Sequence, residues 1–463
     1  MSIQSSTAIP NPDEIDITSV LVDRDVYLTQ LLKQCQSSLQ VIEPQTVTWM
    51  QELRDRAAGW VRQYTLPTTR DEEWRFTDLS ALRQISFQPS NQQSAISLSD
   101  IESLTLPEAA NSRLVFVNGI YAPHLSAVDH LPDGVVVSNL AGLPITHRSR
   151  IQDYLAQQQG ELEVFTALNT AGIIDVAVVW VAKNVVFETP IHVVFISTAG
   201  ETPSISQPRC LVVAESGSSL TLIEEYTSFP NPQSPTPNLT NAVTEIALAE
   251  NAEVSHTRVE REGVEAFHIG KSAIAQARDS RYTCNAITLG AKLSRHNLEV
   301  LQTGEQTQTT LNNLTMIAGQ QVADTHSVIA LNHPYGTSNQ LHKCIIGDRA
   351  HAVFNGKVFV PKPAQLTNAA QLNRNLLLSP KARVDTKPQL EITADNVKCS
   401  HGATVSQLED EEVFYLQSRG LNEDDARNLL INAFATEIIN QLPLASLRET
   451  LSTAINHQQL VVN

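Results

Sequence analysis

The sequence has few aromatic residues, few cysteines and fewer basic than acidic side chains. Phe, Trp and Tyr make up 5% of its 463 residues. Lys and Arg number 32 against 49 Asp and Glu, which gives a formal net charge of −17 at pH 7. Proteins that hold nucleic acid or anionic membranes by electrostatics need clustered basic residues. The charge balance therefore argues against both of these partner classes.

Two kinds of apolar segment are also missing. The first residues, MSIQSSTAIPNPDEIDITSV, lack the basic start and the apolar centre of a secretory signal peptide. No run of ~20 apolar residues occurs, so we expect no membrane-spanning helix.

The five cysteines are scattered without a CxxC pair, which is typical of a reducing compartment when no signal peptide is present. These features predict a cytoplasmic protein.

Short aliphatic strands separated by small or polar turn residues recur from Ala177 onward. Examples are IALAENAEV (246–254), IAQARDSRY (274–282) and CIIGDRAHA (344–352), and matched turn positions commonly lie about 30 residues apart. Repeats of this length that contain only short strands predict a β-solenoid, in which each coil buries its face against the next. A β-sandwich is the alternative fold for this pattern.

Helical periodicity precedes these repeats. Apolar residues at three- and four-residue intervals predict amphipathic helices over 23–39 and 45–64. The following segment, RDEEWRFTDLSAL (70–82), is charged and aromatic. We interpret it as a solvated helix or turn in which Trp74 and Phe76 are the packing anchors.

Helical periodicity returns after Thr404. One helix is predicted over 409–418 and ends at Gly420 in a C′ position. Asn422 is the predicted N-cap of a second helix, and a third follows Pro443. The fold class is therefore mainly β, with a parallel β-helix core between N-terminal and C-terminal α-helical regions. The predicted boundaries are 1–110, 111–404 and 405–463.

The densest grouping of possible metal ligands is in the stretch DTKPQLEITADNVKCSHGAT (385–404). If 397–401 is a strand, then Val397, Cys399 and His401 share one of its faces. The Cys and the His would lie roughly 6.6–7 Å apart along the strand. Two ligands do not complete a tetrahedral metal site. Either they are a packed cysteine and a hydrogen-bonded histidine, or they are half of a site that another chain completes.

Other candidate motifs are weaker. Gly270-Lys271-Ser272 looks like the end of a phosphate-binding loop, but Glu265 stands where that loop needs its first glycine. A His-rich run has spacings of seven, nine, two and seven, none of which places two ligands side by side on a helix. We expect ordinary structural roles for its members, and we find no self-sufficient catalytic centre. The run comprises His326, His333, His342, Cys344 and His351.

Several segments carry a family resemblance. KCSHGAT (398–404), YLQSRG (415–420) and LPTTRDEEWRFTDLS (66–80) closely resemble the SufD-type members of the SufB/SufD family, which belongs to the Suf iron–sulfur cluster assembly system. The match spans nearly the whole chain. The resemblance implies a right-handed parallel β-helix flanked by helical regions. It also implies a non-catalytic scaffold that pairs with SufB through the β-helix and binds the SufC ATPase through the C-terminal helices.

Two departures separate this chain from SufB-type members. SufB-type chains carry Gln-Cys-Asp-Ser where this chain has Gln371-Leu372-Asn373-Arg374, so the thiol is missing. They also read Glu-His-Glu-Ala where this chain has Ser400-His401-Gly402-Ala403. By the resemblance, His401 faces SufB at a shared cluster-assembly interface and is a possible metal ligand there, with Cys399 as its neighbour. The nascent iron–sulfur cluster belongs to the complex, and we expect no cofactor bound stably by the isolated chain.

The resemblance also suggests where the partners bind. We predict SufB pairing over 372–401, with Thr386 and Ser400 as outward positions on that surface. Homodimerisation of the isolated chain and a plastid host compartment both stay open. Two alternatives are a homodimeric SufB-like scaffold, which the missing thiol weighs against, and a solenoid enzyme that acts on polysaccharide. The predicted SufC-binding residues are Tyr415, Arg419, Leu429, Leu430 and Phe434.

Overall fold

A computed structural model shows a β-solenoid with helices at both ends of the sequence. The start of the predicted N-terminal region, 1–23, lies outside the described part of the chain. No helix in the described ranges is long and apolar enough to cross a membrane. The structure describes residues 24–37, 48–90, 96–157, 163–198, 200–229 and 236–461.

Helices flank a long series of strands. The α-helices are α1 (Val26–Ser37), α2 (Thr48–Gln63), α3 (Ser80–Arg83), α4 (Ile145–Arg148), α5 (Val164–Ala171), α6 (Asp410–Gln417), α7 (Glu423–Ile439) and α8 (Ala445–Val461). The strands are β1 (Gln88–Pro89), β2 (Arg113–Val117), β3 (Ile120–Tyr121), β4 (Val135–Asn139), β5 (Ala177–Val181), β6 (Val186–Thr198), β7 (Ser204–Ser206), β8 (Arg209–Ala214), β9 (Ser219–Phe229), β10 (Asn238–Leu248), β11 (Glu253–Arg261), β12 (Phe267–Gln276), β13 (Arg281–Thr288), β14 (Leu293–Gln302), β15 (Gln308–Ile317), β16 (Val322–Ala330), β17 (Thr337–Ile346), β18 (His351–Val360), β19 (Asn368–Leu377), β20 (Arg383–Ile392) and β21 (Lys398–Gln407).

Two sheets face each other, and from β8 to β21 the chain alternates between them at every strand. Sheet A has 11 strands. Nine of them follow the order β20-β18-β16-β14-β12-β10-β8-β5-β4, and β7, which pairs with β10, carries β1 beside this series. Sheet B is 10-stranded and has the order β21-β19-β17-β15-β13-β11-β9-β6-β2-β3. Neighbours in these long series pair in parallel, whereas β2 with β3 and β4 with β5 are antiparallel. The parallel pairing confirms the solenoid and is not that of a β-sandwich.

The turn residues explain why the repeat was visible in the sequence. Asn251 and Asp279 occupy left-handed backbone conformations, with φ of 57° and 58°, at the same corner of successive coils. Asn and Asp tolerate this conformation better than most residues. Ala252 and Ser280 follow them and are fully buried, so only a small side chain fits there. The recurring motif is therefore a corner followed by a small buried residue.

The helices cover the outer faces of the two sheets. On sheet A, Leu28 of α1 and Phe165 of α5 share a buried cluster with Phe267 of β12. On sheet B, Ile438 of α7 shares another buried cluster with Ile287 of β13. The apolar faces predicted from the sequence are thus the surfaces that attach the helices to the solenoid.

Candidate functional site at the open end of the solenoid

The C-terminal end of the solenoid has two unpaired edges. β20 pairs with β18 and β21 pairs with β19, and no described strand follows either of them. Each edge strand has ten residues, and most of their side chains are half-buried or exposed. An unpaired edge presents free backbone N–H and C=O groups to any strand that can pair with it.

His401 is the last member of a column of interior side chains. Its position in β21 is in register with Gln371 in β19, and that series runs back through the coils of sheet B. The six earlier positions are all at most 2% exposed, whereas His401 is exposed. His401 is exposed because no coil follows to cover it. The column is Leu222, His256, Cys284, Leu311, Gln340, Gln371 and His401.

Cys399 occupies the preceding interior position of the same strand. It is in register with Ala369, which is buried, and it packs with Val397 against the main core cluster. The face shared by Val397, Cys399 and His401 is therefore the interior face, while Lys398 and Ser400 are exposed. Burial raises the pKa of the Cys399 thiol, so this thiol is protonated at neutral pH.

The interior behind His401 is polar. Gln371 Nε2 donates to Gln340 Oε1 at 2.9 Å, and Gln340 Nε2 donates to Ser327 Oγ at 2.8 Å. Asn373 Nδ2 donates to the backbone carbonyl of His342 at 3.2 Å. Side-chain amides and hydroxyls thus line the last coils, in contrast to the aliphatic first coils. The sequence alone does not predict this polar interior, because it does not say which strand positions face inward.

Within the His-rich run, the structure brings His342 and Cys344 together and places His326 and His351 elsewhere. His342 and Cys344 share the interior face of β17, with Nε2 and Sγ 3.2 Å apart. His326 lies on the outer face of sheet A, where Nδ1 is 3.0 Å from Glu73 Oε2. His351 Nε2 is 2.7 Å from Asp385 Oδ2 on the same sheet. In the described ranges, no group of three or more His, Cys, Asp or Glu residues is placed to hold a metal ion.

One predicted outward position is wrong. Thr386 is in register with Phe354, a fully buried interior residue, and the Thr386 hydroxyl is itself shielded from solvent. Strand alternation therefore directs Thr386 into the solenoid. Ser400 is exposed and in register with the exposed Ala370, so it does lie on the outer face.

The C-terminal helices carry an exposed apolar surface. Tyr415 is 57% exposed and Leu429 is 50% exposed, and the Arg419 guanidinium lies 5.3 Å from the centre of the Tyr415 ring. Phe414, which the sequence interpretation did not select, is 71% exposed. The sequence does contain a signal for this exposure. Phe414 and Tyr415 are adjacent in a short helix, so only one of them can lie on its buried face. We call Phe414, Tyr415, Arg419 and Leu429 the helical surface patch.

The other two residues predicted for this surface are less accessible. Leu430 is half-buried. Phe434 is also half-buried and packs against the cluster between the helices and sheet B. The ammonium group of Lys343 in β17 lies 4.2 Å from the centre of the Phe434 ring and donates to the Phe434 carbonyl at 2.8 Å. Phe434 therefore fixes α7 to the solenoid.

Two protein-family models match this chain, one over its N-terminal part and one over most of the solenoid. The family model for the SufBD core domain of SUF system FeS cluster assembly matches residues 195–434. The model for the SufBD protein N-terminal region matches residues 26–193. Together these two matches extend from the first described helix to the middle of α7.

Three relatives illustrate the similarity. An iron–sulfur cluster assembly SufBD family protein of Synechocystis sp. is 51% identical over 410 residues, which cover 87% of this chain and 90% of the relative. Protein ABCI7, chloroplastic, of Arabidopsis thaliana is 35% identical over 92% of this chain and 89% of its own length. The iron–sulfur cluster assembly protein SufD of Escherichia coli is 32% identical over 85% and 89%. The chain belongs to the SufBD family of iron–sulfur cluster assembly proteins.

Proposed function

We propose that this chain is a non-catalytic scaffold subunit that pairs with a SufB-type partner through the open end of its solenoid. The observation that carries this proposal is the interior column that ends on an exposed His401 in an unpaired strand. An interior side chain left uncovered at a sheet edge can be covered by a strand that continues the sheet. A partner that pairs with β21 would enclose His401 in the interface.

The chain contributes ligands to a nascent cluster at that interface. Iron–sulfur clusters generally take about four protein ligands, mostly thiolates. His401 offers one imidazole, and Cys399 offers a half-buried thiol one interior position before it. The partner supplies the remaining ligands, so the cluster is a cargo of the complex.

The helical surface patch binds the SufC ATPase in this proposal. Its three apolar side chains are exposed on α6 and α7, and buried aliphatic residues fix α7 to sheet B. Exposed aromatic residues beside an arginine are typical of protein interfaces. Phe434 holds α7 against β17 through its contact with Lys343, and the half-buried Leu430 follows Leu429 directly in the sequence.

The names of the relatives suggest the cellular compartment in which this chain works. One relative carries the name chloroplastic, and others are SufD proteins of Escherichia coli and Bacillus subtilis. These names support either a bacterial cytoplasm or a plastid stroma for this chain. The net charge of −17 supports protein partners over nucleic acid.

The mass of the purified complexes tests the proposal. The full chain is purified alone, with a SufB-type partner, and with both that partner and the SufC ATPase, and each mass is measured in solution. We expect a heterodimer with the SufB-type partner and a further increase in mass with the ATPase. A stable homodimer that ignores the partner would favour the SufB-like homodimeric scaffold. A monomer in every mixture would contradict both hypotheses.

A further inference from the structure

A cavity lies between the charged N-terminal segment and the outer face of sheet A. Its volume is about 370 Å³, which falls within the range of roughly 300–1,000 Å³ found for small-molecule sites. One wall is the segment 69–76, which we call the strap, and the floor is formed by β16, β18 and β20. The side chains that bear on its chemistry are Arg70, Glu73, Arg75, His326, Asn355 and Lys387.

The strap is held firmly over this floor. Trp74 is buried, and the Arg295 guanidinium stacks 3.9 Å from the centre of its ring. Arg295 Nη1 also donates to the backbone carbonyl of Glu73 at 2.9 Å. The His326 imidazole bridges Glu73 on the strap and Asp324 on the sheet, at 3.0 and 2.9 Å. The cavity walls are therefore pre-organised, which lowers the entropic cost of binding a ligand.

The charges around the cavity do not balance. Glu72 is paired with Lys387 at 2.6 Å, Glu73 with His326, and Asp324 with Arg295. Arg70 and Arg75 also line the cavity, and neither has a carboxylate within ion-pair distance among the residues that the structure describes. Two uncompensated guanidinium groups at one cavity stand out in a chain of net charge −17.

We propose that this cavity binds a small phosphate- or carboxylate-bearing anion through Arg70 and Arg75. A guanidinium group offers donors in a planar fork that matches the oxygens of a phosphate or a carboxylate. Asn355, whose side-chain amide contacts Glu73 at 3.2 Å, presents a polar group on the floor for the rest of the ligand. The ligand class is therefore a phosphate- or carboxylate-bearing metabolite. The site is separate from the His401 edge and does not depend on the proposed scaffold function.

Isothermal titration calorimetry of the full-length chain tests this site. Inorganic pyrophosphate and citrate are titrated separately at low ionic strength. We expect saturable binding of one molecule per chain for at least one of the two anions. The anion that binds more tightly identifies the phosphate or the carboxylate as the recognised group. The Arg70→Gln/Arg75→Gln double variant should bind at least tenfold more weakly, because its two exposed guanidinium groups are replaced without disturbing the buried strap contacts.

A matched control separates this site from general charge effects. The Arg278→Gln/Arg349→Gln variant loses the same charge at exposed positions outside the cavity lining. It should bind the anion as the unmodified chain does, and all three proteins should keep the same melting temperature without ligand. The proposal is overturned if neither anion gives saturable heat. It is equally overturned if the strap variant binds with unchanged affinity, or if the control loses as much affinity as the strap variant.

Discussion

At the scale of single residues, His326 joins the strap to the solenoid through charge. Burial lowers the pKa of His326, but the carboxylates of Asp324 and Glu73 more than offset this effect and raise it. Burial would raise the pKa of Asp324, but the Arg295 guanidinium and His326 hold it well below its usual range. The cluster is therefore a charged network that should respond to pH at both ends of the range.

The His326→Gln variant tests this network. A histidine with a raised pKa contributes stability that is complete below its unfolded-state pKa of about 6.5 and is lost as pH rises through its folded-state pKa. Asp324, with a lowered pKa, contributes stability above its unfolded-state pKa of about 3.9. We expect His326→Gln to lower the free energy of unfolding by about 1.5–3 kcal/mol at pH 6 and by less at pH 9. Urea unfolding at both pH values measures the difference.

The half-buried His333 provides the control for that comparison. His333→Gln should change the free energy of unfolding little at either pH. An equal loss at pH 6 and pH 9 for His326→Gln would show that packing rather than charge holds the strap.

His342 should make the solenoid sensitive to acid. It is fully buried, and desolvation lowers its pKa to about 3. In the unfolded chain this imidazole is protonated below about pH 6.5, whereas in the folded chain it stays neutral. Its contribution to the free energy of unfolding is therefore complete above that pH and falls as pH drops towards 3. Between pH 7 and pH 5 this single group should cost about 2 kcal/mol. His342→Gln should remove that part of the pH dependence in urea unfolding, and an unchanged slope would contradict a neutral buried imidazole.

At the scale of elements, the helix ends were predictable because their signals are local. Gly420 has φ of +99° after α6, and the Asn422 side chain accepts from the Asp425 backbone N–H at 2.8 Å at the start of α7. The phase of the strands was harder to predict. Which residues of 383–392 face inward depends on register with the neighbouring coil, so Thr386 was assigned to the wrong face.

The outer edge of β21 can be tested with a single charge. Ser400→Glu places a carboxylate on the exposed face of the edge strand, where a partner strand would have to desolvate it. We expect the heterodimer to weaken at least tenfold in sedimentation equilibrium. Asn339→Glu is the control, because Asn339 is exposed in the same outward column but two strands away from the edge. Equal dimer masses for the two variants would count against this surface.

The helical surface patch makes a separate prediction about the ATPase. Phe414→Ser/Leu429→Ser removes two exposed apolar side chains without opening a core. The variant should lose most of its SufC binding in a pull-down assay and retain its SufB-type partner. Leu98→Ser, at another exposed leucine, should retain both partners. Undiminished SufC binding by the double variant would place the ATPase elsewhere.

At the scale of the whole molecule, the two ends of the solenoid differ. At the N-terminal end, the outermost strands are the two-residue β3 and the five-residue β4, both of which are antiparallel to their neighbours. Short edge strands are poor templates for further pairing. At the C-terminal end, both edges are ten residues long. One usable end favours a closed pair over an open filament.

The repeat made this architecture readable from the sequence, whereas the function needed the family resemblance. Small residues recur at matched corner positions, such as Ala252 and Ser280, and this recurrence predicts stacked coils. The structure shows that both residues are buried. Nothing in a single sequence shows that His401 ends an interior column, because that column is built by register between strands about 30 residues apart. The strap cavity was equally hidden, since it joins Arg70 to residues such as Asn355 far along the chain.

The iron and sulfide content of the co-purified complex tests the shared site most directly. The complex is prepared with the unmodified chain, with His401→Ala, and with Ser400→Ala as a control on the same exposed strand. Because both residues are exposed, all three complexes should assemble with the same mass. We expect a clear loss of iron and sulfide for His401→Ala alone. Unchanged iron and sulfide in the His401→Ala complex would contradict a role for this histidine in cluster assembly.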